Sequence, residues 1–333
     1  MANKILNTIN IPKMLFGVLR DLKTQKKFIS NNVSPLLHQF ETINDGSLSE
    51  KDFLKINNYY GLAVPAILGE AFCMLRGFAM NELERLVSTS QGVVTGLFDD
   101  FFDDGNISEN EILKMLEEPR LYKWKNTGEK LIISFYNKAV DNALNPDKVK
   151  EGAMNVFKAQ QMSIEQEDSS ISQSRIWEIT QQKGGESVLF YRYGFKHSLK
   201  DGEEEALFQL GSLMQLENDI FDVYKDSQSG IYTLPIITDN VEELKNLYTE
   251  QVDLFVELSY KMDYPKESVK LFLDRLMPVI NRAYVCFVKY KKLEKDNKKI
   301  FDVHAFTRKQ LICDMEKLSN FLRTVSYQIN SKY

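Results

Sequence analysis

Helix breakers are scarce in this chain. Its 333 residues include only 16 glycines and 8 prolines. Between them run long stretches rich in Leu, Lys, Glu, Phe and Met. Most of these are good helix formers, and apolar residues recur at helical spacing rather than in strict alternation. A chain written this way has little from which to build a sheet. The expected fold class is all-α: a single large helical bundle spanning 1–333, with 1–50 as an N-terminal helix and loop.

Periodicity and punctuation place helices at about 12–28, 79–103, 109–117, 127–143, 147–162, 171–196, 203–226, 240–261, 265–294 and 305–330. Asn44-Asp45-Gly46 reads as a turn, with Ser49 capping the next helix. Pro65 begins or kinks an apolar run that reaches Gly77. Ser108-Glu109-Asn110-Glu111 is a capping box. Ser227 to Gly230 breaks the seventh helix, and Pro235 delays the next. Glu165–Ser174 is the most polar stretch and reads as a flexible loop over a site.

Several functions are disfavoured by composition. The net charge is −5, with basic residues dispersed, so no nucleic-acid-binding stripe is present. Cys73, Cys286 and Cys313 lie far apart and lack metal-ligand spacing; they read as reduced core thiols of a cytoplasmic protein. Three histidines, His38, His197 and His304, argue against a zinc site or a His-based triad. No segment approaches the ~20 apolar residues of a transmembrane helix, and the N-terminus has no signal-peptide core.

Two acidic clusters carry the chemistry. The first is Asp99-Asp100-Phe101-Phe102-Asp103-Asp104; the second runs from Asn218-Asp219 through Asp222 to Lys225-Asp226. Oxygen-bearing side chains four residues apart share a helix face, which groups Asp99 with Asp103 and Asn218 with Asp222 and Asp226. A one-residue shift pairs Asp100 with Asp104 instead. Stacked carboxylates beside apolar surface repel one another unless a cation compensates. Hard cations such as Mg²⁺ take a few carboxylates together with substrate phosphates. Gly92, Gly96, Gly211 and Gln215 lie on the same faces one or two turns earlier. The glycines either leave room for a bulky ligand or mark close helix packing. Phe98, Phe102 and Phe221 supply aromatic walls that suit a hydrocarbon and can stabilise a cation.

On these residues the chain resembles the class I isoprenoid synthases. Asp99-Asp100-Phe101-Phe102-Asp103 is similar to their aspartate-rich motif. Asn218-Asp219-x-x-Asp222-x-x-Lys225-Asp226 is similar, at every defined position, to the second motif of microbial terpene cyclases. The stretch from Gly211 to Pro235 also resembles phytoene and squalene synthases, ending in a similar Gly-x-x-x-Leu-Pro sequence. Lys183-Gly184-Gly185 stands where related prenyltransferases carry a Lys-led triplet. The resemblance covers about 60–300 and implies a helical bundle around a central active-site cavity.

The same resemblance implies an activity. A linear prenyl diphosphate would be ionised by Mg²⁺, with three ions expected and Mn²⁺ as a substitute, and the allylic cation cyclised. Metal ligands would come from Asp99, Asp100, Asp103, Asp104, Asn218, Asp222 and Asp226. Lys225, Lys183, Arg192 and Arg175 would contact diphosphate, against competing roles in surface ion pairs. Asp219 would ligate or stand behind the ligands. The family's oligomers include homodimers. Head-to-head coupling of two prenyl diphosphates is the alternative within the fold. There are departures: no Lys-Arg or Arg-Arg pair occurs, and the second motif opens Asn-Asp rather than Asp-Asp, both against chain elongation. The C-terminal Arg-Tyr pair of bacterial cyclases is represented only by Arg282, Lys289 and Tyr290.

A different class also fits part of the chain. Asp100 to Glu111 partly matches an EF-hand calcium loop, and Glu41 to Asp52 is a looser copy. Asp-Gly turns followed by Ser-led caps explain both equally well.

Overall fold

The computed structural model describes residues 2–103 and 107–330, with side chains for 11–98 and 107–330. Every regular element among them is helical. Spatial proximity gathers the chain into two compact units, each assembled from separated stretches.

One unit comprises Leu15–Asn155 and Phe190–Leu199. Its centre is the pairing of helices Glu82–Asp103 and Thr127–Asn142. Val87, Val93, Val94 and Leu97 are buried on the first; Leu131, Ile132, Phe135 and Ala139 are buried on the second. Each of these side chains larger than alanine contributes about 1.5–3 kcal/mol on burial. The apolar run around Pro65 stays helical, but two wide π-helical stretches, Lys55–Tyr59 and Val64–Gly69, interrupt its α-turns. Pro65 lies inside this continuous helical run and cannot donate to an earlier carbonyl; Gly61 O, four residues before it, accepts from the Gln25 side chain instead. A buried polar chain crosses this unit. Gln25 Nε2 donates to Gly61 O and Thr89 Oγ1, and Arg85 bridges Gln25 Oε1 to Glu70.

The other unit comprises the residues up to Met14, Val156–Leu189 and Lys200 onward. Helix Glu203–Phe221 is its axis. It packs on Val241–Lys261, Lys266–Ile280 and Ala283–Asp296. Leu207, Leu210, Leu213, Leu216 and Ile220 recur at three- and four-residue intervals and are all fully buried. Opposite them lie Tyr248, Phe255, Phe272 and Phe287, with Tyr248 packed edge-on to Phe287 at 5.6 Å.

Several expected helices are shorter or interrupted. The segment expected at 265–294 is two helices, because the chain turns at Asn281-Arg282. Those side chains are held elsewhere, Asn281 by Gln328 and Arg282 by Glu217. The segment expected at 305–330 is Arg308–Leu311 and Leu318–Asn330, separated by a turn in which Asp314 Oδ1 accepts from Glu316 N. The polar stretch from Glu165 is partly ordered: Ser163–Glu167 is a 3-10 helix. Gln166 is buried there and exchanges hydrogen bonds with Tyr232 through N–H to O at 2.7 Å and Nε2 to O at 3.3 Å. No helix among the described residues is long and apolar enough to cross a membrane.

Candidate functional site

The second acidic cluster lies at the end of the axial helix. That helix stops at Phe221, and a new one, Val223–Ser229, begins after Asp222. The continuous helix expected over 203–226 is therefore interrupted. The hydrogen-bond register nonetheless carries through the joint. Asp222 N donates to Asn218 O at 2.8 Å, and Asp226 N donates to Asp222 O at 2.9 Å. Asn218, Asp222 and Asp226 thus keep one-turn spacing across the break. Asn218 and Lys225 are exposed, while Asp222 and Asp226 are half-buried.

Asp219 occupies the opposite situation. It is buried, and it accepts from Gln215 Nε2 at 2.8 Å and from Thr180 Oγ1 at 3.2 Å. It lies behind the exposed face, and both carboxylate oxygens are engaged by neighbouring side chains. Gln215, expected as a cavity residue, is one of those neighbours. Thr180 was not picked out by sequence spacing, since a single threonine in a helix carries no signal of what it touches.

Thr180 and Lys183 reach this cluster because two helices nearly touch. A Cβ on Gly184 would lie 1.9 Å from Gly211 O, and one on Gly211 would lie 2.0 Å from Gly184 O. Only hydrogen fits at both positions. The crossing lets the positive charge of Lys183 act on both Asp219 and Asp226. Gly211 is therefore a contact between helices rather than room for a ligand. Gly92 and Gly96 are similar. A Cβ on Gly92 would meet Tyr60 O at 2.6 Å, and one on Gly96 would meet the Tyr60 ring at 2.6 Å. The packing reading holds for all three.

The electrostatics of the cluster are unbalanced. Burial raises the Asp226 carboxyl, and the charges of Asp219 and Asp222 raise it further, to about 7, against the opposing charges of Lys225 and Lys183. Burial likewise lifts Asp219 to about 6, although Gln215, Lys183 and Thr180 pull it down. At Asp226 the carboxylate charges of Asp219 and Asp222 outweigh the ammonium charges of Lys225 and Lys183. A divalent cation relieves such crowding, and the donor set (amide and carboxylate oxygens) suits a hard ion. No three His, Cys, Asp or Glu side chains among the described residues already converge to hold one ion.

No family model, curated protein or solved structure matches this chain.

The remaining expected site residues fall elsewhere. The backbone of 99–103 is helical, but its side chains, including Asp99, Asp100, Phe102 and Asp103, lie outside the described set, and Asp104 lies outside the described residues altogether. Phe98 is half-buried. Arg175 is held by Glu165 through Nε at 2.8 Å and Nη2 at 2.7 Å, and by Glu178 through Nη1 at 2.7 Å. Arg192 is buried and donates to the carbonyls of His197 and Ser198 at 3.0 and 3.2 Å. Both guanidinium groups are engaged by local partners in this structure.

Two residues weakly marked in the sequence lie beside the second cluster. Arg282 clamps buried Glu217 with Nε at 3.0 Å and Nη2 at 3.2 Å, and it stacks over the Phe221 ring at 5.5 Å. Tyr290 is fully buried, and its hydroxyl donates to Ile220 O at 2.7 Å. Phe221 is therefore engaged by Arg282, and the turn at Asp222 is anchored from behind. Lys289 instead caps the carbonyls of Lys309 and Ile312.

Of the first calcium-loop-like segment, the side chains of Asp100 to Asn106 lie outside the described set; the closing carboxylates of both segments, Glu111 and Asp52, act as helix caps. Glu111 accepts from Ser108 N and Oγ at 3.1 and 2.9 Å and pairs with Lys125. Asp52 closes the equivalent box on Ser49, with Ser49 N at 2.6 Å and Oγ at 2.8 Å. One carboxylate oxygen of each, Glu111 Oε2 and Asp52 Oδ2, is engaged at a helix N-terminus.

Proposed function

We propose that this chain is a Mg²⁺-dependent class I terpene synthase that ionises a linear prenyl diphosphate and cyclises the resulting allylic cation. One observation carries the reading: Asn218, Asp222 and Asp226 hold one-turn register across a helix joint, with the charge of Lys183 acting on Asp226. That order of residues is the one that resembles the second motif of microbial terpene cyclases. In this reading Asn218, Asp222 and Asp226 hold the metal, and Asp99 and Asp103 serve the same purpose from the first cluster. When bound, Mg²⁺ supplies the positive charge that accepts a departing diphosphate.

The chain's own residues have separable tasks. Asp222 and Asp226 present oxygens from a half-buried position, where low dielectric strengthens each contact. Asp219 orients the face from behind through Gln215 and Thr180. Lys225 and Lys183 add cationic charge close to where an anionic leaving group develops. Arg282 and Tyr290 fix the joint through Glu217, Phe221 and Ile220.

The test is incubation with C10 to C25 prenyl diphosphates and Mg²⁺, reading released diphosphate and organic products. Cyclisation yields one product from one substrate molecule; head-to-head coupling consumes two. If no substrate in the series releases diphosphate, the reading fails. Asn218→Ala and Asp222→Ala should each abolish release while circular dichroism retains the parent helicity. Full activity in either variant removes those residues from the site.

A further inference from the structure

We propose that helix Leu318–Asn330 is a docking face for an anionic lipid bilayer, lying in the bilayer surface rather than crossing it. The helix is amphipathic: Leu318, Phe321, Leu322, Val325 and Ile329 fall within an arc of about 100°. Yet it packs on the rest of its unit through the neighbouring arc. Thr324 and Gln328 are its buried residues. Gln328 Oε1 accepts from Asn281 Nδ2 at 2.9 Å, and Thr324 Oγ1 donates to Asn320 O at 3.2 Å. Tyr327 stacks on Tyr284 with ring centroids 5.0 Å apart. The contacts to Asn281 and Tyr284 fix the rotation of the helix about its axis. They leave Leu318, Leu322 and Phe321 69%, 56% and 41% exposed, with Val325 and Ile329 half-buried beside them. Single exposed leucines are ordinary, but three large apolar side chains grouped on one face form a patch that favours a partner.

Charge selects the occupant. The whole chain has a net charge of −5. From Ala283 to Asn330, however, ten Lys and Arg stand against five Asp and Glu, a net charge of +5. This stretch holds the docking helix, the helix Ala283–Asp296 on which it packs, and Arg308–Leu311, which packs on that same helix. The docking helix itself carries Arg323 and no acidic residue. Lys292, Arg308, Lys309, Lys317 and Arg323 are all exposed. An apolar stripe in a basic setting suits a membrane of anionic lipid. Hydrocarbon takes up the leucine and phenylalanine side chains, and lipid phosphates meet the ammonium and guanidinium groups. A second copy of the chain suits the face less well, because a two-fold contact would set the positive stretch against itself. The 13 residues of the helix rise about 20 Å, short of the ~30 Å hydrocarbon core, so the helix lies in the interface.

The experiment is co-sedimentation of the native full chain with sucrose-loaded vesicles, one set of phosphatidylcholine alone and one of equal parts phosphatidylcholine and phosphatidylglycerol. No prenyl diphosphate is present, so binding is read independently of catalysis. The chain should pellet with the anionic vesicles and stay in solution with the neutral ones, and raised salt should release part of it. Leu318→Ser, Phe321→Ser and Leu322→Ser combined should lower partitioning at least about tenfold, and Arg323→Glu should lower it by less. Phe321→Trp reads the face directly: on anionic vesicles its emission should shift to the blue and become less accessible to acrylamide. The proposal is overturned if the parent stays in solution with anionic vesicles, if it pellets equally with neutral ones, or if the triple serine variant binds as the parent does. It is equally overturned if light scattering finds a dimer that the triple serine variant dissociates, which assigns the face to a second copy. Where the triple variant fails to fold, the emission of Phe321→Trp decides: no shift on anionic vesicles overturns the proposal.

Discussion

Glu84 and Asp219 are both buried carboxylates, and their surroundings send them in opposite directions. Asp219 meets hydroxyl and amide donors but only a more distant ammonium, and burial dominates, raising it to about 6. Glu84 is gripped on both oxygens by Arg76, at 2.5 and 2.7 Å, and accepts from the backbone N–H of Asn81 and Lys196. Burial raises it, but these partners outweigh burial and bring it down to about 2. Because its folded value lies below the ordinary 4.5, its charged form favours the folded state. That contribution is present in full above pH 4.5 and disappears as pH falls toward 2. Glu84→Gln leaves Arg76 buried without its counter-charge and should cost about 3–5 kcal/mol at neutral pH. In guanidinium titrations the gap between parent and variant should narrow steadily below pH 4.5; a constant gap would remove the ion pair as its source. None of this was legible from composition, since Arg76 and Glu84 sit among many charged residues with no spacing that pairs them.

Among elements, the crossing at Gly184 and Gly211 makes the sharpest demand. A methyl group at either position would lie about 2 Å from a backbone carbonyl oxygen that cannot rotate away. Gly184→Ala or Gly211→Ala should separate the helices and cost on the order of 1–3 kcal/mol, read as a lowered midpoint of thermal unfolding. Unchanged melting in both would mean that the helices do not approach this closely. Parting them would also draw Thr180 away from Asp219. Leu210→Ala, in the same axial helix, tests burial instead: a fully buried leucine should cost about 2–5 kcal/mol. The sequence marked these helices and even the glycines, but one glycine signature serves both a ligand and a neighbouring backbone. Only the position of the second helix distinguishes the two. The helix joint at Asp222 was hidden for a related reason, since the four-residue spacing continues unchanged through it.

For the whole molecule, the discriminating measurement is linkage between ligand and unfolding. A ligand present at a hundred times its dissociation constant stabilises the folded state by about 2.7 kcal/mol. Mg²⁺ with inorganic diphosphate should therefore raise the thermal midpoint by a few degrees, and by more than either alone. Asp222→Ala or Asp226→Ala should remove that gain. Ca²⁺ without diphosphate should leave the midpoint in place, because the carboxylates of the loop-like segments, Glu111 and Asp52, already cap helices. A Ca²⁺-specific rise would revive the calcium-binding reading. Diphosphate without effect at any Mg²⁺ concentration would count against the catalytic one.

The all-helical class followed from local chemistry. Few breakers, strong helix formers and three-to-four periodicity act within a turn or two, so they are visible in the linear chain. The identity and one-turn spacing of Asn218, Asp222 and Asp226 were visible for the same reason. Tertiary structure decided whatever depends on which distant backbone or charge arrives beside a residue. It decided between open wall and close packing for three glycines, making them contacts, and put Asp219 behind its neighbours. It gave Arg175 and Arg192 local partners. Those outcomes rest on through-space desolvation and close approach, which act between residues tens of positions apart and leave no periodic trace in the sequence.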